Sequence, residues 1–307
     1  MKHIKKIHLT CKDKKNINND IWRECLYFYW KLYPDYEIII YDNQDIYNII
    51  NEHYPQYLDK IKQIKTGAIL ADIFRYLILY LEGGIYSDMD CMPLKRVDEL
   101  YNKDFKYYHG DKNRDNNYWI YKNRNDIQNK KWDFDHNICN NCNTITDSNV
   151  ITDSNVITMR CNGHTIGDDT TVLLSYEYHN DWININEVIN TEASVGSLIE
   201  NAIKKYNLQI CQWFMISEPK QEIFLKMFLY CMKGLDILIH LKPTDKNYKH
   251  IVINLTGPSG FTKIIMENMS SKIKILPSDF FCTGSWVNSV PITRNSYVKH
   301  LYTSSWH

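Results

Sequence analysis

ADIFRYLILYLEGGIYSDMDCMPL, residues 71–94, carries both the fold and the chemistry of this chain. From about Thr66 to Leu81 the sequence is apolar nearly all round (Ile69, Leu70, Ile73, Phe74, Leu77, Ile78, Leu79), which predicts a buried helix with Thr66 as its N-cap. Gly83 and Gly84 stop that helix, and Ile85 to Asp88 resumes as a strand. Asp72 and Arg75 lie three apart, on one side of the helix. Charges on a buried helix need partners or a function. Asp88 and Asp90 are two apart at a strand end, so both carboxylates are expected to project to one side and Met89 to the other. Two such carboxylates repel, and a hard divalent cation, magnesium or manganese, relieves that repulsion. An arginine beside a metal-bound diphosphate clamps phosphate oxygens, and an aspartate accepts hydrogen bonds from sugar hydroxyls.

Upstream, Ile4 to Leu9 reads as a first strand, Asn19 to Leu32 as a helix with one apolar face, and Glu37 to Tyr41 as a buried strand. Strand, helix, strand opens an α/β domain with a parallel sheet. Trp22, Phe28, Tyr29 and Trp30 are read as core, as are Cys211, Cys231 and Cys282. Residues 105–208 are polar and rich in Asn, Asp and Lys, with weak periodicity, and are read as an insertion. From Gln212 the α/β pattern returns: a helix over Gln221–Met232, then strands over Ile237–His240 and Ile251–Asn254.

With these elements in place, the 71–94 stretch resembles the signature of glycosyltransferase family 32, the DxD sugar transferases that include yeast-type mannosyltransferases, capsular polysaccharide transferases and clostridial glucosylating toxins. The similarity extends to Lys6-Ile7-His8-Leu9-Thr10, Tyr33-Pro34-Asp35-Tyr36-Glu37, Phe214-Met215-Ile216-Ser217-Glu218-Pro219, Thr256-Gly257-Pro258, and His300 with Ser305-Trp306, in the family's order. A lone DxD is weak evidence; the ordered set is strong. Two positions depart from the pattern. Cys11 stands where tryptophan is usual, and Gln212 where asparagine is common.

The resemblance implies a single GT-A domain over residues 1–307, a Rossmann-like mixed sheet flanked by helices, with the insertion inside it. It implies a metal-dependent, retaining transferase that moves a hexose from a nucleoside diphosphate sugar, UDP for preference, to a glycan, protein or small-molecule acceptor. Asp88, Asp90 and His300 would hold Mn2+ or Mg2+, with Asp90 the direct ligand and Asp88 at the donor ribose or reaching the metal through water. Asp72 and Arg75 would bind the donor sugar and its phosphates. Tyr86 and Gln212 would line the donor pocket, Thr10 would sit by the base, and Ser305 and Trp306 would close over the diphosphate. The alternative is a degenerate transferase that binds a nucleotide sugar or a metal without turnover.

Inside the insertion, Cys139 and Cys142 form a C-x-x-C, and Cys161 with His164 a C-x-x-H, with eighteen residues between the pairs. That spacing suits a structural zinc site around residues 136–164, with His136 as a substitute ligand. The repeat ITDSNV at Ile145–Val150 and Ile151–Val156 would form the ribbon between its halves. The competing reading is four unconnected loop residues.

Composition narrows the rest. Lysine plus arginine equals aspartate plus glutamate at 36 each, so nothing favours bulk nucleic-acid binding. No segment has the apolar length of a membrane helix or a signal peptide, so the expected site of action is the cytoplasm, or a comparable compartment of a parasite or virus-infected cell. Oligomeric state has no signature. A phosphoesterase or nuclease would need a denser cluster of ligands, and no nucleophile-elbow or glycine-rich phosphate loop is present.

Overall fold

The computed structural model describes residues 4–101, 106–107, 164–165, 169–178, 209–268, 270, 272–276, 278–283, 292–293 and 295–303. In chain order the elements are β1 (Lys6–Thr10), α1 (Asp20–Leu32), β2 (Glu37–Tyr41), α2 (Asn43–His53), α3 (Leu58–Ile61), α4 (Gly67–Glu82), β3 (Gly84–Ser87) and β4 (Cys91–Pro93). The short β5 (Lys106–Tyr107) and β6 (His164–Thr165) pair with each other, and β7 (Val172–Tyr178), β8 (Gln209–Ile210) and β9 (Phe214–Ser217) follow. The chain continues through α5 (Glu222–Lys233), α6 (Leu235–Leu238), α7 (Tyr248–Leu255), α8 (Pro258–Glu267), β10 (Ile273–Leu276), α9 (Ser278–Phe281) and β11 (Val298–His300).

One mixed sheet organises the fold, in the order β10–β7–β9–β3–β1–β2 with β8 paired to β7. β1 runs parallel to both β2 and β3, whereas β9 is antiparallel to β3 and β7. Alternation along each strand splits the core in two. Ile7, Leu9, Ile85, Phe214 and Ile216 face a cluster completed by Leu26 and Tyr29 of α1 and Phe280 and Phe281 of α9. Tyr86, Met215, Val172 and Leu174 face the opposite cluster, built on α4, α5, α7 and α8. The expected mixed α/β sheet flanked by helices is therefore present. Among the described residues, no helix is long and apolar enough to cross a membrane.

Local chemistry explains the boundaries. Asn19 caps α1, its side chain accepting from the backbone N–H groups of Ile21 and Trp22. Thr66 occupies the N-cap position of α4 without a capping side-chain hydrogen bond, so burial rather than the cap holds this helix. Gly83 stops α4 at φ +68°, ψ −156°, a backbone region open essentially to glycine alone. A Cβ there would lie 2.5 Å from the Pro219 nitrogen.

Several expectations are corrected. Ile237–His240 and Ile251–Asn254 are not strands: the first overlaps α6 and the second lies within α7. Leu235, Leu238 and Leu241 are buried at intervals of three, and Tyr248 and Val252 at four, so the helical period decides both stretches. β7 falls inside the 105–208 insertion yet pairs with β9 and β10, so residues 172–178 belong to the main sheet. Trp30 is 55% exposed on the outer face of α1, while Tyr29 beside it is buried. Cys211, Cys231 and Cys282 are buried, as expected.

Candidate active site

β1 is the strand at which chain order in the sheet reverses, with β2 on one side and β3 on the other. In open α/β sheets the crevice beyond the carboxyl ends of such strands is where ligands bind. Thr10 closes β1, and Tyr86-Ser87 closes β3, with Asp88 immediately after. Thr10 Oγ1 lies 3.1 Å from Tyr86 Oη, which donates to Asp88 Oδ1 at 2.9 Å. Arg75, reaching over from α4, donates from Nη2 to the same Asp88 oxygen and from Nη1 to Asp72 Oδ1, each at 3.0 Å. Its guanidinium also covers the Tyr86 ring, 5.0 Å from the centroid.

Behind Asp72 the network continues into the core. Thr256 Oγ1 donates to Asp72 Oδ2 at 2.9 Å, and Gln212 Nε2 donates to Oδ1 at 3.3 Å. Tyr76 shares its hydroxyl proton between Gln212 Oε1 at 2.6 Å and the Thr256 carbonyl at 2.8 Å. That contact fixes the Gln212 amide with its nitrogen toward Asp72. Burial pushes the Asp72 carboxyl up to about 7, against the pull of Arg75 and Thr256. Burial likewise raises Asp88, opposed by Arg75 and reinforced by the charge of Asp90. Among the described residues, Arg75 Nε is buried without a partner.

The Asp-Met-Asp triplet corrects the strand-end expectation. β3 ends at Ser87, and Cys91 N donates to Asp88 O at 3.0 Å, closing a turn before β4. Asp88 N is tied in turn to Trp213 O at 2.9 Å. With the backbone turned, the two carboxylates take different partners: Asp88 faces Arg75 and Tyr86, and Asp90 faces the C-terminal strand.

Asp90 Oδ1 lies 3.2 Å from His300 Nε2, and Asp90 Oδ2 accepts from both the backbone N and the Oγ1 of Thr303 at 2.9 Å. β11 pairs antiparallel with β4, placing His300 opposite Cys91. The ligand atoms of Asp90, Cys91 and His300 all lie within 4.8 Å of one another. Trp213 packs its ring on His300 (centroids 4.8 Å apart), and Tyr302, next to Thr303, adopts φ +47°. Burial alone would raise the Asp90 carboxyl, but His300 and Thr303 hold it down to about 2. Among the described residues, His300 Nδ1 is buried without a partner. An ionised carboxylate beside an imidazole with an orphaned nitrogen fits a divalent cation.

The structure thus joins Thr10, Tyr86, Asp88, Arg75, Asp72 and Gln212 in one network, with Asp90 and His300 paired one turn away. Cys11 is buried beside Thr10, its thiol pushed to about 11 by burial and the nearby Asp42. Ser305, Trp306, Cys139, Cys142 and Cys161 lie outside the described residues, and His164 is described only as backbone of β6. Sequence reasoning passed over Tyr76, Trp213, Cys91 and Thr303, and gave Thr256 no role. Thr256 lies within a stretch already singled out and Trp213 adjoins one; Thr303 carries no local signal.

Part of the chain is similar to known proteins. Residues 19–106 match the family described as "Glycosyltransferase sugar-binding region containing DXD motif". A mannosyl phosphorylinositol ceramide synthase of Saccharomyces cerevisiae is 35% identical over 79 residues, which is 26% of this chain and 21% of that protein. An initiation-specific alpha-1,6-mannosyltransferase of Candida albicans is 42% identical over 69 residues, 22% of this chain and 18% of that protein. The match therefore spans about a fifth of the length of these curated relatives. Among solved structures, the glycosyltransferase domain of the YGT toxin superposes with a TM-score of 0.47 at 9% identity, over 89% of this chain and 79% of that one. The PaToxG glycosyltransferase gives 0.41 at 13% identity, over 86% and 69%. Residues 19–106 are thus similar to that sugar-binding region, and Asp88-Met89-Asp90 is the one Asp-x-Asp within that range.

Proposed function

We propose that the chain is a metal-dependent hexosyltransferase acting on a nucleoside diphosphate sugar, UDP-linked for preference. The observation that supports it is the unbroken line of contacts Thr10–Tyr86–Asp88–Arg75–Asp72 at the carboxyl ends of β1 and β3, one turn away from Asp90 and His300. Asp90 and His300 would hold the cation, manganese or magnesium, with Asp88 joining through water. When bound, that ion would act as a Lewis acid on the leaving diphosphate.

The side chains supply the rest. Thr10 and Tyr86 position the nucleoside end, and the Arg75 guanidinium faces the phosphates while Tyr86 and Asp88 fix its plane. Asp72, locked by Thr256 and Gln212, presents acceptors to the sugar hydroxyls. Ser305 and Trp306 would cover the diphosphate. Retention of anomeric configuration and the single-domain organisation belong to the same proposal. The relatives named as mannosyltransferases make mannose the first sugar to try. The acceptor is a glycan, a protein or a small molecule.

The test is donor hydrolysis across nucleotide sugars, with manganese, magnesium or EDTA, on wild type and Asp90→Ala. Nucleoside diphosphate released from one donor, and abolished by EDTA and by the substitution, establishes the class. Metal-dependent donor binding without turnover, even with acceptors supplied, points to the degenerate binder. Absence of both binding and turnover with every donor refutes the proposal.

A further inference from the structure

We propose that Cys91 is a third protein donor to the cation site, so that this chain prefers a thiophilic divalent ion such as zinc to magnesium. The proposal rests on the reading of Asp90 and His300 as cation ligands. Residues directly opposite one another in an antiparallel pair put their side chains on the same face, and His300 stands opposite Cys91. Asp90 precedes Cys91, and the donor atoms of all three lie within 4.8 Å of one another.

The geometry suits a tetrahedral ion. Metal–nitrogen and metal–oxygen bonds of about 2.0–2.1 Å at a tetrahedral angle put the two donors about 3.3 Å apart. The His300 Nε2 to Asp90 Oδ1 separation is 3.2 Å. The other aspartate of the triplet, Asp88, faces away from that position, its Oδ1 accepting from Arg75 and Tyr86. A carboxylate, a thiolate and an imidazole leave a fourth position open, the pattern of three-ligand zinc sites. Thiolate shifts preference from hard oxygen-seeking ions toward zinc, cadmium and cobalt.

Binding converts the thiol to a thiolate: the S–H bond breaks, its electron pair goes to the ion, and the proton leaves to solvent. The contact that Cys91 Sγ now donates to the Trp213 carbonyl at 3.7 Å is given up in exchange. Among the described residues His300 Nδ1 has no hydrogen-bond partner, so it can carry the ring proton once Nε2, now facing Asp90 Oδ1, takes the ion.

The test titrates the full-length protein with cadmium and records the ultraviolet thiolate-to-cadmium charge-transfer band in wild type and Cys91→Ser. Any other thiolate centre in the chain is common to both and cancels in the difference spectrum. In parallel, zinc displaces bound manganese, followed by the paramagnetic signal of the free ion. Loss of an outer-shell partner already weakens metal binding about 10–100-fold. Cys91→Ser should therefore lower zinc affinity by at least that factor, remove a cadmium band, and leave manganese affinity nearly unchanged. An unchanged band and zinc affinity, with manganese still lost in Asp90→Asn, overturns the proposal while the cation site stands. No manganese, zinc or cadmium bound by wild type beyond the level of Asp90→Asn overturns both. Far-UV circular dichroism checks folding, and Cys91→Ala replaces the serine variant if that fails to fold.

Discussion

Replacing Asp72 by asparagine should make this protein more stable, and the gain should grow with pH. Folding raises the Asp72 carboxyl from 3.8 to about 7, chiefly by burial. A carboxyl raised on folding contributes its stability fully below pH 3.8 and loses it as pH climbs through about 7. That interval corresponds to about 4 kcal/mol. Asparagine resembles the protonated acid and carries no such penalty.

The opposing effect is the cost of breaking a buried ion pair, about 3–5 kcal/mol where a charge is left alone. Here Arg75 retains Asp88 at 3.0 Å, so it is not stranded. An amide oxygen at position 72 accepts from Arg75 and Gln212. The amide nitrogen donates to Thr256 Oγ1, whose proton turns to the Val252 carbonyl 3.3 Å away. With partial relaxation halving the ideal value, the expected gain is at least about 2 kcal/mol at pH 8, shrinking below about 1 kcal/mol at pH 4. Urea unfolding followed by circular dichroism at pH 4, 6 and 8 measures it. His8 and Glu177 titrate nearby but are present in both proteins and cancel in the difference. A variant less stable than wild type at pH 8, or a difference independent of pH, refutes the reasoning. The same substitution should suppress donor turnover, since the buried charge is kept for the ligand.

Three further outcomes are expected. Gly83→Ala combines a glycine-only backbone conformation with a clash against Pro219, and should cost about 3–6 kcal/mol in urea unfolding; a loss under about 1 kcal/mol would contradict the observed turn. His8 is buried between Tyr41 Oη at 3.0 Å and the Gly83 carbonyl at 2.8 Å, and burial lowers it to about 4. Its share of stability, about 3 kcal/mol, is complete above pH 6.5 and fades as pH falls toward 4; an imidazole NMR titration with a midpoint near 6.5 would disprove this. Tyr86→Phe removes one hydroxyl held by Thr10 and Asp88 and should lower kcat/KM for the nucleotide-sugar donor about 10-fold or more with little change in fold. Unchanged kinetics would remove Tyr86 from the donor site.

Much of this architecture could be read locally. The all-round apolar pattern of α4, broken only by Asp72 and Arg75, announced a buried helix with two functional charges, and both charges are buried and paired. The strands read at Ile4–Leu9 and after Gly83-Gly84 are present, and Thr10 and Tyr86, assigned to the donor site only by resemblance, meet at their neighbouring ends. Legibility failed where the deciding partner lay far away in sequence. The Asp88–Asp90 segment looked like a strand end, but Trp213 and the Asp88–Cys91 turn bend it. The apolar run at Ile237–His240 is too short for its period to be visible; its partners at Leu235 and Leu241 show it. β7 was hidden in a polar stretch because its neighbours β9 and β10 come much later in the chain.

The clamp on Asp90 has a consequence for synthesis. Thr303, which holds one of its carboxylate oxygens, follows it by 213 residues, and His300 is nearly as distant. At about 5–20 residues per second, a ribosome takes on the order of 10–40 s to supply those partners after Asp90 has been made. During that interval β4 lacks β11, and the acidic turn has no imidazole beside it. Under the proposed function, cation loading at this position would be a late event, coupled to the arrival of β11. An ion captured earlier on the nascent chain would meet a different set of ligands.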